Sequence, residues 1–164
     1  MKKILLALAV LVATGIGAWF TLRPAQLAPD VSFTTLEGKK FSMQDLRGKL
    51  VLVKFWATSC VTCVKQMPDT IAFYQEFSPK GFETIAIAMN YDPPNYVLNF
   101  AQTRQLPFPV ALDIDGKIAQ AFGDIRLTPT ALLIDKQGRV LKRYLGEYDK
   151  ADFRATVERA LAAG

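Results

Sequence analysis

The chain has two cysteines, Cys60 and Cys63, and both lie in FWATSCVTCVKQMP, residues 55–68. Two thiols at this spacing could form a structural staple, half of a metal site or a redox pair. In the first turn of a helix, residues i and i+3 share a face and can be bridged. A loop of four residues gains roughly 2 kcal/mol from closure, against ~4.7 for a loop of 100, so a staple placed for stability would join distant segments. As metal ligands the pair fills half of a tetrahedral zinc shell, and no histidine or further cysteine completes it. A two-thiolate Cu(I) site stays open, because soft ligands suit that ion.

The redox reading uses more of the sequence. KLVLVKFWAT, residues 49–58, is an apolar, β-rich run that reads as a buried central strand. A helical pattern starts at Cys60, with Val64, Met67, Ile71 and Tyr74 at three- and four-residue spacing. Pro68 interrupts that pattern and predicts a kink. Cys60 then sits where unpaired N–H groups and the helix dipole favour a thiolate, and its thiol is expected to ionise below its free value. Cys63, one turn in, is expected to be more buried. Cys60 would attack a substrate disulfide and Cys63 would resolve the mixed disulfide.

The absence of histidine removes Ser-His and Cys-His dyads, imidazole metal ligands and axial haem histidines. The net charge of +5 is concentrated at the N-terminus. Setting aside Lys2, Lys3 and Arg23 takes three from the 20 basic residues and leaves 17 against 15 acidic ones, a net of +2. With no basic run interleaved with aromatics, nothing points to nucleic acid.

The 164 residues suit one domain plus an accessory segment. Residues 4–22, ILLALAVLVATGIGAWFTL, carry no charge. As a helix this run spans roughly 28 Å, close to a bilayer's hydrocarbon core. Lys2 and Lys3 before it place the N-terminus in the cytoplasm. A cleaved signal peptide is the rival, but its small-residue sites, Ala13-Thr14-Gly15 and Gly15-Ile16-Gly17, fall inside the run, and Trp19, Phe20 and Leu22 continue it. Residues 1–22 are therefore read as a single-pass anchor or signal peptide, with the rest of the chain outside the cytoplasm. Residues 23–30, RPAQLAPD, read as a linker, and residues 31–164 as one domain.

Within that domain VSFTTLEGKKFSM predicts a hairpin turning at Glu37-Gly38. Further strands are expected over 83–90, in FPVALDID, and in TALLID and RVLKRYLG about a turn at Lys136-Gln137-Gly138. Helices are expected over 96–105, in GKIAQAFG, and in the amphipathic KADFRATVERALAAG. The order defines an α/β domain with a mixed central sheet. In IRLTPTALLID, Pro129 stands just before a strand. The pattern alone fits a cis bond after Thr128 in a sharp turn and an ordinary trans loop proline equally well.

These motifs, in this order and spacing, resemble the thioredoxin-like superfamily, and within it the membrane-anchored TlpA/ResA-like thiol-disulfide oxidoreductases. The likeness covers nearly the whole chain, from the apolar N-terminus through APDVSFTTLEGKKFSMQDLRGKLVLVKFWAT and the Cys-x-x-Cys with Pro68 to LPFPVALDIDGKIAQAFGDIRLTPTALLIDKQGRV. It implies a thioredoxin-like fold: a mixed central sheet flanked by helices, with an N-terminal β-hairpin and an N-terminal transmembrane helix. It implies tethering to the inner membrane through residues 4–22, with the catalytic domain facing the periplasm, and no cofactor or metal. Cys60 would be the nucleophile and Cys63 the resolving thiol. The Thr128-Pro129 bond would be cis, with Thr128, Pro129 and Trp56 meeting the substrate. The partners would be extracytoplasmic protein thiols and disulfides, such as those of apo-cytochrome c or copper-site proteins, and a membrane electron donor.

Four positions depart from the family's pattern. Ser59 stands where Trp is frequent, Val61-Thr62 where the pair commonly ends in Pro, Lys54 where a buried carboxylate or Asn is expected, and Gln66 where Glu is common. All four are candidates for tuning the cysteines. The plainer expectation for Lys54 is that its stem packs while its ammonium reaches water. The functional alternative is a buried amine of lowered pKa that accepts a proton or stabilises a thiolate.

Three rival activities use the same residues. An oxidase or isomerase differs only in which redox form is more stable. A Cu(I) carrier would use both sulfurs, though related carriers have a longer cysteine spacing and a distal histidine. A peroxidase of the peroxiredoxin kind would need Pro and Thr or Ser where Val53 and Ala57 stand.

Overall fold

A computed structural model of the chain describes residues 26–163. The membrane helix expected over residues 4–22 lies outside the described residues. Among those described, no helix is long and apolar enough to cross a membrane.

Strand β3 (Leu50–Trp56) is the axis of the fold and is buried along its whole length. Its neighbours are β4 (Phe82–Ala88), parallel to it, and β6 (Thr130–Ile134), antiparallel. Strands β5 (Val110–Leu112) and β7 (Val140–Leu145) complete a five-stranded mixed sheet in the order β5-β4-β3-β6-β7. The hairpin of β1 (Ser32–Thr34) and β2 (Lys40–Ser42) forms as expected about its predicted turn. It joins the sheet edge where Thr35 bridges Ala111.

Side chains alternate across a strand, and on β3 this sends two sets of residues to two different layers. Val51, Val53 and Phe55 pack with Phe33, Ile85, Ile87 and Phe122 on the face covered by the hairpin and by helix α3 (Lys117–Ala121). Leu50 and Leu52 face the other way and meet Phe73, Phe77 and Phe153, from α1 (Val61–Phe77) and α4 (Lys150–Ala162). Trp56, on that same face, packs with Cys63 and Met67 of α1 and Val97 of α2 (Pro94–Thr103).

Helix α1 runs through Pro68 as one helical span. Its buried face is Cys63, Gln66, Met67, Thr70, Phe73 and Phe77, while Val64, Ile71 and Tyr74 of the expected apolar stripe are only half-buried. The apolar periodicity marked the flank of the buried face. Its centre carries two polar residues, Gln66 and Thr70, which hydropathy alone assigns to solvent.

Candidate active site

Cys60 follows the C-terminal end of β3 and caps the 17-residue α1. Its backbone is extended there (φ −85°, ψ 102°), and its sulfur accepts the Cys63 N–H at 3.2 Å. That contact is an N-cap hydrogen bond made by sulfur, at the positive end of the helix dipole. Cys60 and Cys63 are joined in a disulfide with 5.2 Å between their Cα atoms. Cys60 is half-buried and Cys63 fully buried. One cysteine therefore borders solvent and the other belongs to the core.

Three loops meet at this end of the sheet. The Thr128-Pro129 bond is cis. Thr130 pairs with Phe55 in the β3–β6 register, which sets Pro129 alongside the end of β3 that leads to Cys60. Thr128 is half-buried, and its hydroxyl lies 3.2 Å from that of the exposed Tyr91 in the loop after β4. The neighbouring Asp92 is buried, and its carboxylate accepts the Thr58 N–H at 2.6 Å and the Thr58 hydroxyl at 2.5 Å. Asp92 thus fixes the segment that delivers Cys60. Asp92 was not singled out from sequence, where an acid ahead of two prolines is the one signal for it.

Trp56 is fully buried and packs at a tilt against Phe100, with ring centroids 5.1 Å apart. Its expected contact with substrate is therefore corrected: alternation turns its ring into the core beneath α1 and α2, away from the rim. Of the four tuning candidates, Ser59 is exposed and Thr62 half-buried, and neither side chain makes a hydrogen bond among the described residues. Gln66 is buried.

Lys54 overturns the expectation that its ammonium reaches water, because its relative exposure is 0%. Alternation puts it on the α1-facing side of β3, between Leu52 and Trp56. Nζ donates to Gln66 Oε1 at 3.0 Å and lies 5.5 Å from the centroid of the Tyr148 ring. Its pKa falls from 10.5 to about 8, mainly through desolvation and against the pull of the Asp69 carboxylate. Gln66 also donates through Nε2 to the Gly146 carbonyl at 3.3 Å, and the Gly146 N–H donates to the Pro129 carbonyl at 2.8 Å. A chain of polar contacts therefore runs from the buried cation to the cis-proline turn. Gly146 holds a positive φ of +78°, the conformation glycine adopts without strain. Burial likewise pushes the Tyr148 hydroxyl up to about 12. Neither Gly146 nor Tyr148 was singled out from sequence.

A mixed five-stranded sheet with a dithiol capping the helix after its central strand, beside a cis-proline, defines a thioredoxin-type thiol-disulfide oxidoreductase. The chain belongs to the Redoxin family, whose model matches residues 23–161. It is 42% identical over 123 residues to the thiol-disulfide oxidoreductase ResA of Bacillus thuringiensis, covering 75% of this chain and 70% of that one. It is 34% identical over 159 residues to ResA of Geobacillus thermodenitrificans, covering 94% of this chain and 90% of that one. A thiol:disulfide interchange protein of the thioredoxin family from Chlorobium tepidum has a crystal structure matching with a TM-score of 0.77 at 32% identity. That match covers 85% of this chain and 98% of the other. The thiol-disulfide oxidoreductase activity uses the Cys60–Cys63 pair.

Proposed function

We propose that the chain is a membrane-anchored, extracytoplasmic protein-disulfide reductase. The observation that carries the direction of attack is the asymmetry of the pair, a half-buried helix-capping sulfur followed by a fully buried one. In the reduced protein the Cys60 thiolate attacks one sulfur of a substrate disulfide and expels the other as a thiolate. Cys63 then loses its proton and attacks Cys60, which releases the second substrate sulfur and leaves the Cys60–Cys63 disulfide. Two electrons have passed to the substrate, and a membrane donor restores the dithiol. Thr128 and Pro129 present the backbone against which an extended substrate lies.

The uncharged run at residues 4–22 behind Lys2 and Lys3 supports the anchor and the side of the membrane. An oxidising compartment would give a tethered reductase its substrates, and anchoring raises its encounter rate with a membrane donor. Apo-cytochrome c and copper-site proteins are the substrate classes this reading favours.

Cys63→Ala in the full chain leaves Cys60 unable to resolve its mixed disulfide. Expressed in membranes, this variant should retain extracytoplasmic cysteine proteins as disulfide-linked adducts, and the wild-type pair should equilibrate with glutathione at a strongly reducing potential. A potential in the range of the strong oxidants, near −120 mV, would replace the reductase by an oxidase. Stoichiometric Cu(I) binding that blocks disulfide reduction would replace it by a metal carrier.

A further inference from the structure

We propose that the groove between α1 and α2 is a second substrate subsite, which holds the segment beside the target cysteine and prefers an acidic side chain there. The proposal rests on the reductase reading for the direction of electron flow, and only for that.

Strand β3 lies between β6 and β4 in the sheet. The cis-proline turn therefore borders Cys60 on the β6 side, and α2, which follows β4, borders it on the other. A hollow of about 280 Å³ opens between α1 and α2, and a second of about 350 Å³ lies between α2 and Thr58 in the segment before α1; the two share Phe100 and Arg104. Their near ends reach the active-site segment. Thr58, two residues before Cys60, lines one hollow, and Val64, whose N–H donates to the Cys60 carbonyl at 3.0 Å, lines the other. An extended polypeptide whose cysteine meets Cys60 between the two sides has this groove beside it on the α2 side.

The lining sets the chemistry. Val64, Met67 and Ile71 give it an apolar wall. Pro68 also lines it and has no N–H, so the Val64 carbonyl lacks its i+4 helical partner. The exposed Tyr96 flanks the opening, and Thr58 is held in place by the buried Asp92. Arg104, at the point where the hollows join, lies 5.7 Å from the centroid of Phe100 and makes no ion pair among the described residues. An apolar side chain next to the target cysteine fits the wall, and a carboxylate further along completes the arginine.

The test uses the pre-reduced full chain and two synthetic peptides, each with one cysteine capped by glutathione. Both carry Leu beside the cysteine and differ only at the third residue beyond it, Glu in one and Lys in the other. The Glu peptide should be reduced with a KM roughly two- to fivefold lower at low salt, the range of an exposed ion pair. That difference should fade as salt rises. Arg104→Gln should erase the preference and Arg104→Glu should invert it, an inversion that only a folded protein can give. Equal KM values in wild type, or a preference that survives Arg104→Glu, would overturn the groove and leave the reductase standing. Were the pair instead an oxidant, the uncapped peptides run as thiol donors against the disulfide form would read the same preference.

Discussion

The two faces of β3 have the same backbone, the same length and the same complete burial, yet they are built by different rules. Val51, Val53 and Phe55 pack into an apolar cluster beneath the hairpin and α3. Leu50, Leu52 and Trp56 share their face with Lys54, an ammonium enclosed by Gln66 and the Tyr148 ring. Desolvating a cation costs more than one hydrogen bond and a cation–π contact return. Gln66 lies three residues beyond Cys63 on the same face of α1, so the costly face is the one that carries the buried sulfur. The first face is an apolar core, and the second carries a buried titratable group whose hydrogen-bond partner, Gln66, lies one helical turn from Cys63.

That contrast predicts opposite responses. On the apolar face, Phe55→Ala removes a ring that packs edge-on to Phe122 and should cost about 3–5 kcal/mol. Denaturant unfolding of the oxidised protein measures this directly. On the other face, Lys54 holds its proton less tightly when folded than when unfolded. Between about pH 8 and 10.5 the unfolded chain therefore binds more protons, and stability rises with pH across that window. Below pH 8 both states carry the charge and the penalty is complete. The depression corresponds to a rise on the order of 3 kcal/mol. Lys54→Met should abolish that rise. It should also raise the titration midpoint of the reduced cysteines and make the pair more reducing, by about 30 mV for each tenfold loss in reduced-form stability. A thiol titration unchanged by Lys54→Met would remove the lysine from the chemistry and leave it a packing oddity.

Most of the frame could be read from the sequence because it depends on local signals. The apolar run over 49–58, the turn at Glu37-Gly38, the hairpin at Lys136-Gln137-Gly138 and the strand-to-helix step at Cys60 each follow from periodicity or turn chemistry within a few residues. The interior of the site depends on partners far away in the chain. Lys54 meets Gln66 across 12 residues, Asp92 meets Thr58 across 34, and Gly146 meets Gln66 across 80. A lysine in a buried run has two outcomes, snorkelling or enclosure. Tyr148, contributed by the segment before α4, is one of the side chains that close the exit, and nothing near Lys54 in sequence announces it. The same reasoning explains Trp56, whose side is set by strand alternation and whose cover is set by α2.

Two smaller effects arise from the polar contacts around Lys54. Gln66→Leu removes the acceptor of the buried ammonium and the donor to Gly146, and should cost about 1–3 kcal/mol at pH 7. In a Lys54→Met background the same change should cost less, since no cation is stranded, and the coupling between the two sites reads the Lys54–Gln66 contact itself. Additive losses would mean the contact carries no energy.

Gly146→Ala is the mildest change and the most selective. An added Cβ meets no atom within 4 Å, so the penalty comes only from forcing alanine into a φ of +78°. That should cost about 1–2 kcal/mol. The strain falls on the residue whose N–H donates to the Pro129 carbonyl and whose C=O accepts from Gln66. If the polar chain from Lys54 to the cis-proline turn transmits, Gly146→Ala should change the KM for peptide disulfides and also move the cysteine titration. A loss of stability with both readouts unmoved would confine Gly146 to its turn and leave the charged face of β3 acting on the sulfurs alone.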